Sequence, residues 1–128
     1  MAQSLIAVLP GSPDCHLICD SLNRDGIGVK LTHSPEEALR LLAFAEHPVV
    51  LYDADTGQPW QDAARNFLSV QPNVRIVLLM QSASRQTWLD LFDHGGFDLL
   101  LRPMQPADLC AVVRCALDPP KFFHRAAA

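Results

Sequence analysis

The residues best placed to do chemistry close a short apolar run. Val49, Val50, Leu51 and Tyr52 lead directly into Asp53, and Asp55 follows after Ala54. Such a run, without polar alternation, reads as a strand buried on both faces, as in a parallel sheet beneath helices. A strand of that kind delivers the residues at its C-terminal end to the rim of the sheet, where open α/β folds bind ligands. Asp53 is therefore the first candidate functional residue. Other reactive side chains are dispersed. Cys15 and Cys19 share one predicted helix, and Cys110 and Cys115 share another. No C-x-x-C and no zinc-type Cys/His spacing occurs, so reduced cysteines serving as small core hydrophobes are expected, with a redox or metal role as the alternative. His16, His33, His47, His94 and His124 lack ligand spacing and read as surface or loop residues.

The elements that must position Asp53 follow from apolar periodicity and from breakers. Leu5–Leu9 reads as a buried strand closed by Pro10-Gly11-Ser12-Pro13. Asp14 is a helix-capping type, and the helix to about Arg24 would turn Cys15, Ile18, Cys19 and Leu22 inward. Ile27–Thr32 is a second strand. Ser34-Pro35-Glu36-Glu37 has a capping hydroxyl, Pro at the first turn and acids near the positive end of the helix dipole. The helix it starts is expected to run to His47-Pro48. After Asp53 comes a turn through Thr56-Gly57-Gln58-Pro59, then a helix over Trp60–Val70. Val74–Met80 is a very apolar strand. Ser84 or Thr87 opens a helix that ends at Gly95-Gly96. Phe97–Leu101 is a fifth strand, and Pro106 to about Leu117 a fifth helix.

Strict alternation of strands and helices implies a parallel sheet covered on both faces. At 128 residues the chain is expected to be one domain, residues 1–118, with residues 119–128 as a tail or the start of a linker to a further output domain. The net charge of −4 argues against a nucleic-acid surface. No apolar run approaches the ~20 residues of a membrane span. The N-terminus lacks the features of a signal peptide, so a cytoplasmic location is expected.

The order of these signals resembles the receiver domain of response regulators, the chemotaxis-regulator type of flavodoxin-like fold. Gly26–Leu39 resembles that family's second strand and second-helix start. His47–Asp53 is similar to its third strand with the phosphoacceptor aspartate, and Val74–Leu79 to its fourth. Residues 95–103, Gly-Gly-Phe-Asp-Leu-Leu-Leu-Arg-Pro, resemble its Gly-Ala-x-x-Tyr-Leu-x-Lys-Pro signature. The resemblance implies a doubly wound, five-stranded parallel sheet in order 2-1-3-4-5 with five helices.

The family's chemistry is phosphoryl transfer to the aspartate with Mg²⁺, which needs oxygen ligands in tight octahedral geometry. Matched residue by residue, Asp53 takes the phosphoacceptor position. The acidic pair falls on Leu9 and Pro10, the hydroxyl on Met80, the switch aromatic on Leu99 and the lysine on Arg102. Arginine keeps the charge but not the compact point donor. Asp55 and Asp14 are possible weak substitutes as metal ligands, and an Asp53–Arg102 ion pair across the rim is the alternative to a metal.

The resemblance thus points to an atypical, non-enzymatic receiver in two-component-type signal transduction. It would work by phosphorylation-independent contact with a protein partner or its own output domain, with no cofactor and no catalytic residue. One alternative is a phosphorylatable receiver that takes a phosphoryl group on Asp53 from a histidine kinase and uses Mg²⁺. A second is a flavodoxin-like small-molecule or redox-sensing module. The face formed by the fourth helix, fifth strand and fifth helix, with Trp88, Asp98, Leu100 and Arg114, is the expected partner or homodimer surface. No nucleic-acid or membrane contact is expected.

Overall fold

The computed structural model describes residues 3–45, 48–56 and 59–118. His47, Gly57, Gln58, His124 and the expected tail at 119–128 lie outside the described residues. In chain order the elements are β1 (Gln3–Val8), α1 (Cys15–Arg24), β2 (Ile27–Thr32), α2 (Pro35–Leu42), β3 (Val49–Asp53), α3 (Trp60–Val70), β4 (Arg75–Met80), α4 (Arg85–Asp93), β5 (Asp98–Leu101) and α5 (Pro106–Leu117). The five strands form one parallel sheet in the order β2-β1-β3-β4-β5. This is the expected doubly wound topology.

Every residue of β3 is buried, because helices cover both faces of the sheet. Strand parity divides the core in two. Leu5, Ala7, Leu51, Val77 and Leu79 meet Ile18 and Leu22 of α1 and Leu109 and Val113 of α5. Ile6, Val8, Val50, Tyr52, Ile76 and Leu78 meet Ala38 and Leu42 of α2, Phe67 of α3 and Leu91 of α4. Tyr52 packs edge-on against Phe67, with ring centroids 6.0 Å apart. Among the described residues no helix is long and apolar enough to cross a membrane.

Local chemistry sets the ends of the helices. The Ser34 hydroxyl accepts the Glu37 N–H at the start of α2. At α4 the Ser84 hydroxyl accepts the Thr87 N–H and the Thr87 hydroxyl accepts the Ser84 N–H, so both candidate starts belong to one reciprocal cap. Helix α2 stops at Leu42 rather than continuing to His47, and turns follow over Ala43 and Phe44. Gly95, with φ of 76°, lets the chain leave α4 in the left-handed region.

The cysteines are less deeply placed than expected. Cys15, Cys19 and Cys110 are half-buried, and Cys115 is exposed. Cys15 and Cys110 border the core on the α1/α5 side without entering it. The inner face of α1 is occupied by Ile18 and Leu22, and the thiols sit on its flank.

Candidate functional site

Asp53 ends β3 at the C-terminal rim of the sheet. The Ala54 N–H donates to the Leu79 carbonyl, which fixes this turn against β4. Beyond the end of β5, the Arg102 N–H donates to the Met80 carbonyl and the Arg102–Pro103 peptide bond is cis. The Arg102 side chain reaches along the rim to the end of β3 and to the loop after β1.

There the guanidinium bridges three carboxylates. Nη2 donates to Asp53 Oδ2 at 2.6 Å and Nη1 to Asp55 Oδ2 at 2.5 Å, while Nε donates to Asp14 Oδ2. Nη2 also reaches the Ser12 hydroxyl at 3.3 Å. The other Asp53 oxygen, Oδ1, accepts the Asp55 N–H at 3.0 Å. Asp53 is 1% exposed and the Arg102 side chain 16% exposed, so their contact is largely shielded from water, while Asp14 and Asp55 stay partly exposed. The planar fork of an arginine suits this arrangement, since it presents donors in several fixed directions where an ammonium is a single point.

Burial alone would lower the basicity of Arg102. Hydrogen bonds and charge from Asp14 and Asp53 outweigh it and hold the guanidinium pKa above its ordinary value. The neighbouring Tyr52 hydroxyl is pushed up, first by burial and then by the charges of Asp53 and Glu36. What the two shifts share is the negative charge of Asp53 at the end of β3, which favours the guanidinium and disfavours a phenolate.

The structure brings Asp53, Arg102, Asp55 and Asp14 together. The expectation of Asp14 as a helix cap needs correction. Asp14 stands at the N-cap of α1, but its carboxylate makes no capping bond and turns to Arg102 instead. A charged partner outcompetes a backbone N–H for one carboxylate. Ser12 joins the cluster without any motif to mark it; its position one turn before α1 is the only sequence signal for it. Leu9, Met80 and Leu99 are buried core residues and Pro10 is half-buried, so these positions line the rim without polar side chains. Trp60 is also buried, with its ring edge-on to His94 at 5.5 Å. Among the described residues no group of three or more His, Cys, Asp or Glu side chains is arranged to hold a metal ion.

The expected partner face is rearranged. Leu100 is buried in the core on the α1/α5 side, not presented to solvent. Arg114 is engaged with Asp25 through Nε at 2.5 Å and Nη2 at 2.6 Å. Asp98 accepts the Leu99 N–H at 2.8 Å. Trp88 stays on the surface at 36% exposure, and its ring lies 6.1 Å from that of Phe92, which is 59% exposed. Leu89 and Leu101 are exposed as well, which makes the surface of α4 and the end of β5 more apolar than the sequence suggests.

No protein-family model and no curated protein matches the chain. Solved structures do. The chain is similar to the Vibrio cholerae chemotaxis protein CheY4, with a TM-score of 0.81 at 18% identity over 91% of this chain and 100% of that one. It is similar to the receiver domain of a Pseudomonas aeruginosa sensor histidine kinase, solved with a magnesium ion in its active-site cleft. There the TM-score is 0.78 at 19% identity, over 91% of this chain and 98% of that one. It also matches NtrX from Brucella abortus, solved with ATP, with a TM-score of 0.78 at 17% identity over 91% of this chain but 27% of that longer one. Together with the strand order and the alternation of elements, these likenesses establish that the chain has the receiver-domain fold of response regulators.

Proposed function

We propose that this domain is a signalling module of the response-regulator type in which Arg102 takes the place of the metal ion and phosphoryl transfer is dispensed with. The observation that carries this reading is the guanidinium bonded at once to Asp53, Asp55 and Asp14. A phosphoacceptor carboxylate needs a free oxygen aimed at the incoming phosphorus. Asp53 has one oxygen engaged by Arg102 and the other by the Asp55 N–H. Mg²⁺ binds through carboxylate and water oxygens at short, near-octahedral positions and tolerates little distortion. The donor set at this rim does not suit it. Leu9 and Pro10 offer no side-chain oxygen, and the three carboxylates already share a cation that cannot be deprotonated in a protein.

Without a chemical step, the domain acts by protein contact, either with an output domain of the same polypeptide or with a separate chain. The exposed Trp88, Leu89, Phe92 and Leu101 on α4 and β5 are the surface assigned to that contact. Aromatic side chains are frequent anchors of such interfaces.

The test is an intact-mass spectrum after incubation with Mg²⁺ and a small acyl phosphate, with Asp53→Asn as control. The expected result is an unchanged mass in both proteins. A phosphoryl adduct on the wild type that is lost in the variant would instead make this a phosphorylatable receiver.

A further inference from the structure

We propose that Cys15 and Cys19 are a peroxide-oxidisable dithiol whose disulfide loosens the grip of α1 on Arg102. Only the consequence for Arg102 rests on the proposed function of the rim; the thiol chemistry stands apart from it. Cys15 is the first residue of α1 and Cys19 lies one turn on, so the two side chains share one flank of the helix. Both thiols are free and half-buried, reachable by a small oxidant but shielded from larger ones. Burial, and then the charge of Cys15, raise the Cys19 thiol pKa. Cys110 is directed elsewhere, with its thiol 3.7 Å from the Ser21 carbonyl oxygen.

Side chains four apart on a helix have Cβ atoms about 5–6 Å apart, whereas a disulfide needs them at roughly 3.5–4.5 Å. Mid-helix, the backbone ladder resists that closure. At the first position only the carbonyl side of the residue is held by the ladder, because the Cys15 N–H bonds outside it, to the Ser12 carbonyl at 3.4 Å. The adjustment therefore falls on the turn from Ser12 to Cys15. That same turn holds Arg102. The Ser12 hydroxyl accepts from Arg102 Nη2 and from the Asp14 N–H, and the Asp14 carboxylate accepts from Arg102 Nε. Oxidation pulls Asp14 and Ser12 from the guanidinium, while Asp53 and Asp55, carried at the end of β3, keep theirs.

The step balances with hydrogen peroxide as the oxidant. The Cys15 sulfur attacks one peroxide oxygen and gives up its proton. The O–O bond breaks, and the departing hydroxide takes a proton to become water. The Cys19 sulfur then attacks the Cys15 sulfenic acid, the S–O bond breaks, and the oxygen leaves as a second water with the Cys19 proton. Two thiols and one peroxide thus give one disulfide and two waters.

The experiment treats the reduced chain with hydrogen peroxide, blocks remaining thiols with iodoacetamide and digests with trypsin. The peptide covering residues 1–24 carries Cys15 and Cys19 and no other cysteine. It is expected to lose two hydrogen atoms, to resist alkylation, and to accept two alkyl groups after reduction. Alkylation of both thiols, a cross-link to the Cys110 peptide, or separate sulfinic products would overturn the pairing. In parallel, oxidation is expected to lower Tm in the wild type and in Cys110→Ser, to have no such effect in Cys15→Ser, and to lower it less in Asp14→Asn. An equal drop in Asp14→Asn would sink the coupling to Arg102. A phosphoryl adduct on Asp53 after incubation with acyl phosphate would overturn the proposed role of the rim and leave this thiol result standing.

Discussion

Two arginines of this molecule do the same chemistry in different surroundings. Arg102 lies at the rim of the sheet with a side chain 16% exposed and binds Asp53, Asp55 and Asp14. Arg114 lies on α5 with a side chain 61% exposed and makes a two-point bond to Asp25 at the end of α1. The Arg114 pair has the better bidentate geometry, and it holds the Asp25 carboxyl below its usual range through that hydrogen bond. Water and salt nevertheless screen it, so it is a surface clip between two helices. At Arg102 the Asp53 carboxylate, 1% exposed, cannot turn to solvent. There the guanidinium is what allows three acids to share one rim. Burial, more than hydrogen-bond geometry, separates a brace from the element that decides what a site can bind.

The comparison breaks most sharply at Arg102. Replacing it with Ala leaves Asp53 buried without its counter-charge and facing Asp14 and Asp55. Removing one partner of a buried pair costs about 3–5 kcal/mol, and the open side of this rim places the expected loss near ~3 kcal/mol. Urea unfolding of Arg102→Ala measures it. A loss no larger than that of a surface substitution would show the cluster to be screened like the Arg114 pair.

A smaller effect reads the dryness of the same rim. The chain has one tyrosine, Tyr52, next to Asp53. Its pKa is raised in the fold by burial and by the Asp53 and Glu36 charges. An acid whose folded pKa lies above its unfolded value contributes stability that is complete below the unfolded pKa, about 10 for tyrosine. That contribution is lost as pH rises through the folded value. Phenolate absorbance is therefore expected to appear above the range of free tyrosine. Tm is expected to fall through the same alkaline interval, and Tyr52→Phe should flatten that limb. An ordinary midpoint for the single tyrosine would mean that water reaches the strand end.

The smallest effect belongs to Arg114. Arg114→Ala is expected to shift Tm by little more than measurement scatter, and raising the salt concentration should erase the difference. A drop comparable to that of Arg102→Ala would remove the distinction between the two sites.

Sequence by itself determined the elements and their order. Apolar runs such as Val49–Tyr52 can only be satisfied between two helical layers, and Ser34 and Ser84 supply the caps their helices need locally. These are short-range properties, so α3, β2 and β3 begin and end where the residues indicate. The pairing of Asp53 with Arg102 was legible only through the resemblance to receiver domains, which sets both residues at the same rim of the sheet.

Only the tertiary structure decided the rest. The cluster joins Asp14, Asp53 and Asp55 to Arg102 across 88, 49 and 47 residues, and no local pattern chooses among such distant pairs. Asp14 reads equally well as a cap or as a ligand, and the competition is settled by a guanidinium supplied from beyond β5. Leu99, Leu100 and Leu101 show no polar alternation from which to assign faces. Register against β4 buries Leu99 on one side and Leu100 on the other, and leaves Leu101 exposed. Local preferences are written in neighbouring residues. The surroundings of a charge or an apolar side chain are set by whatever the fold brings to it from elsewhere in the chain.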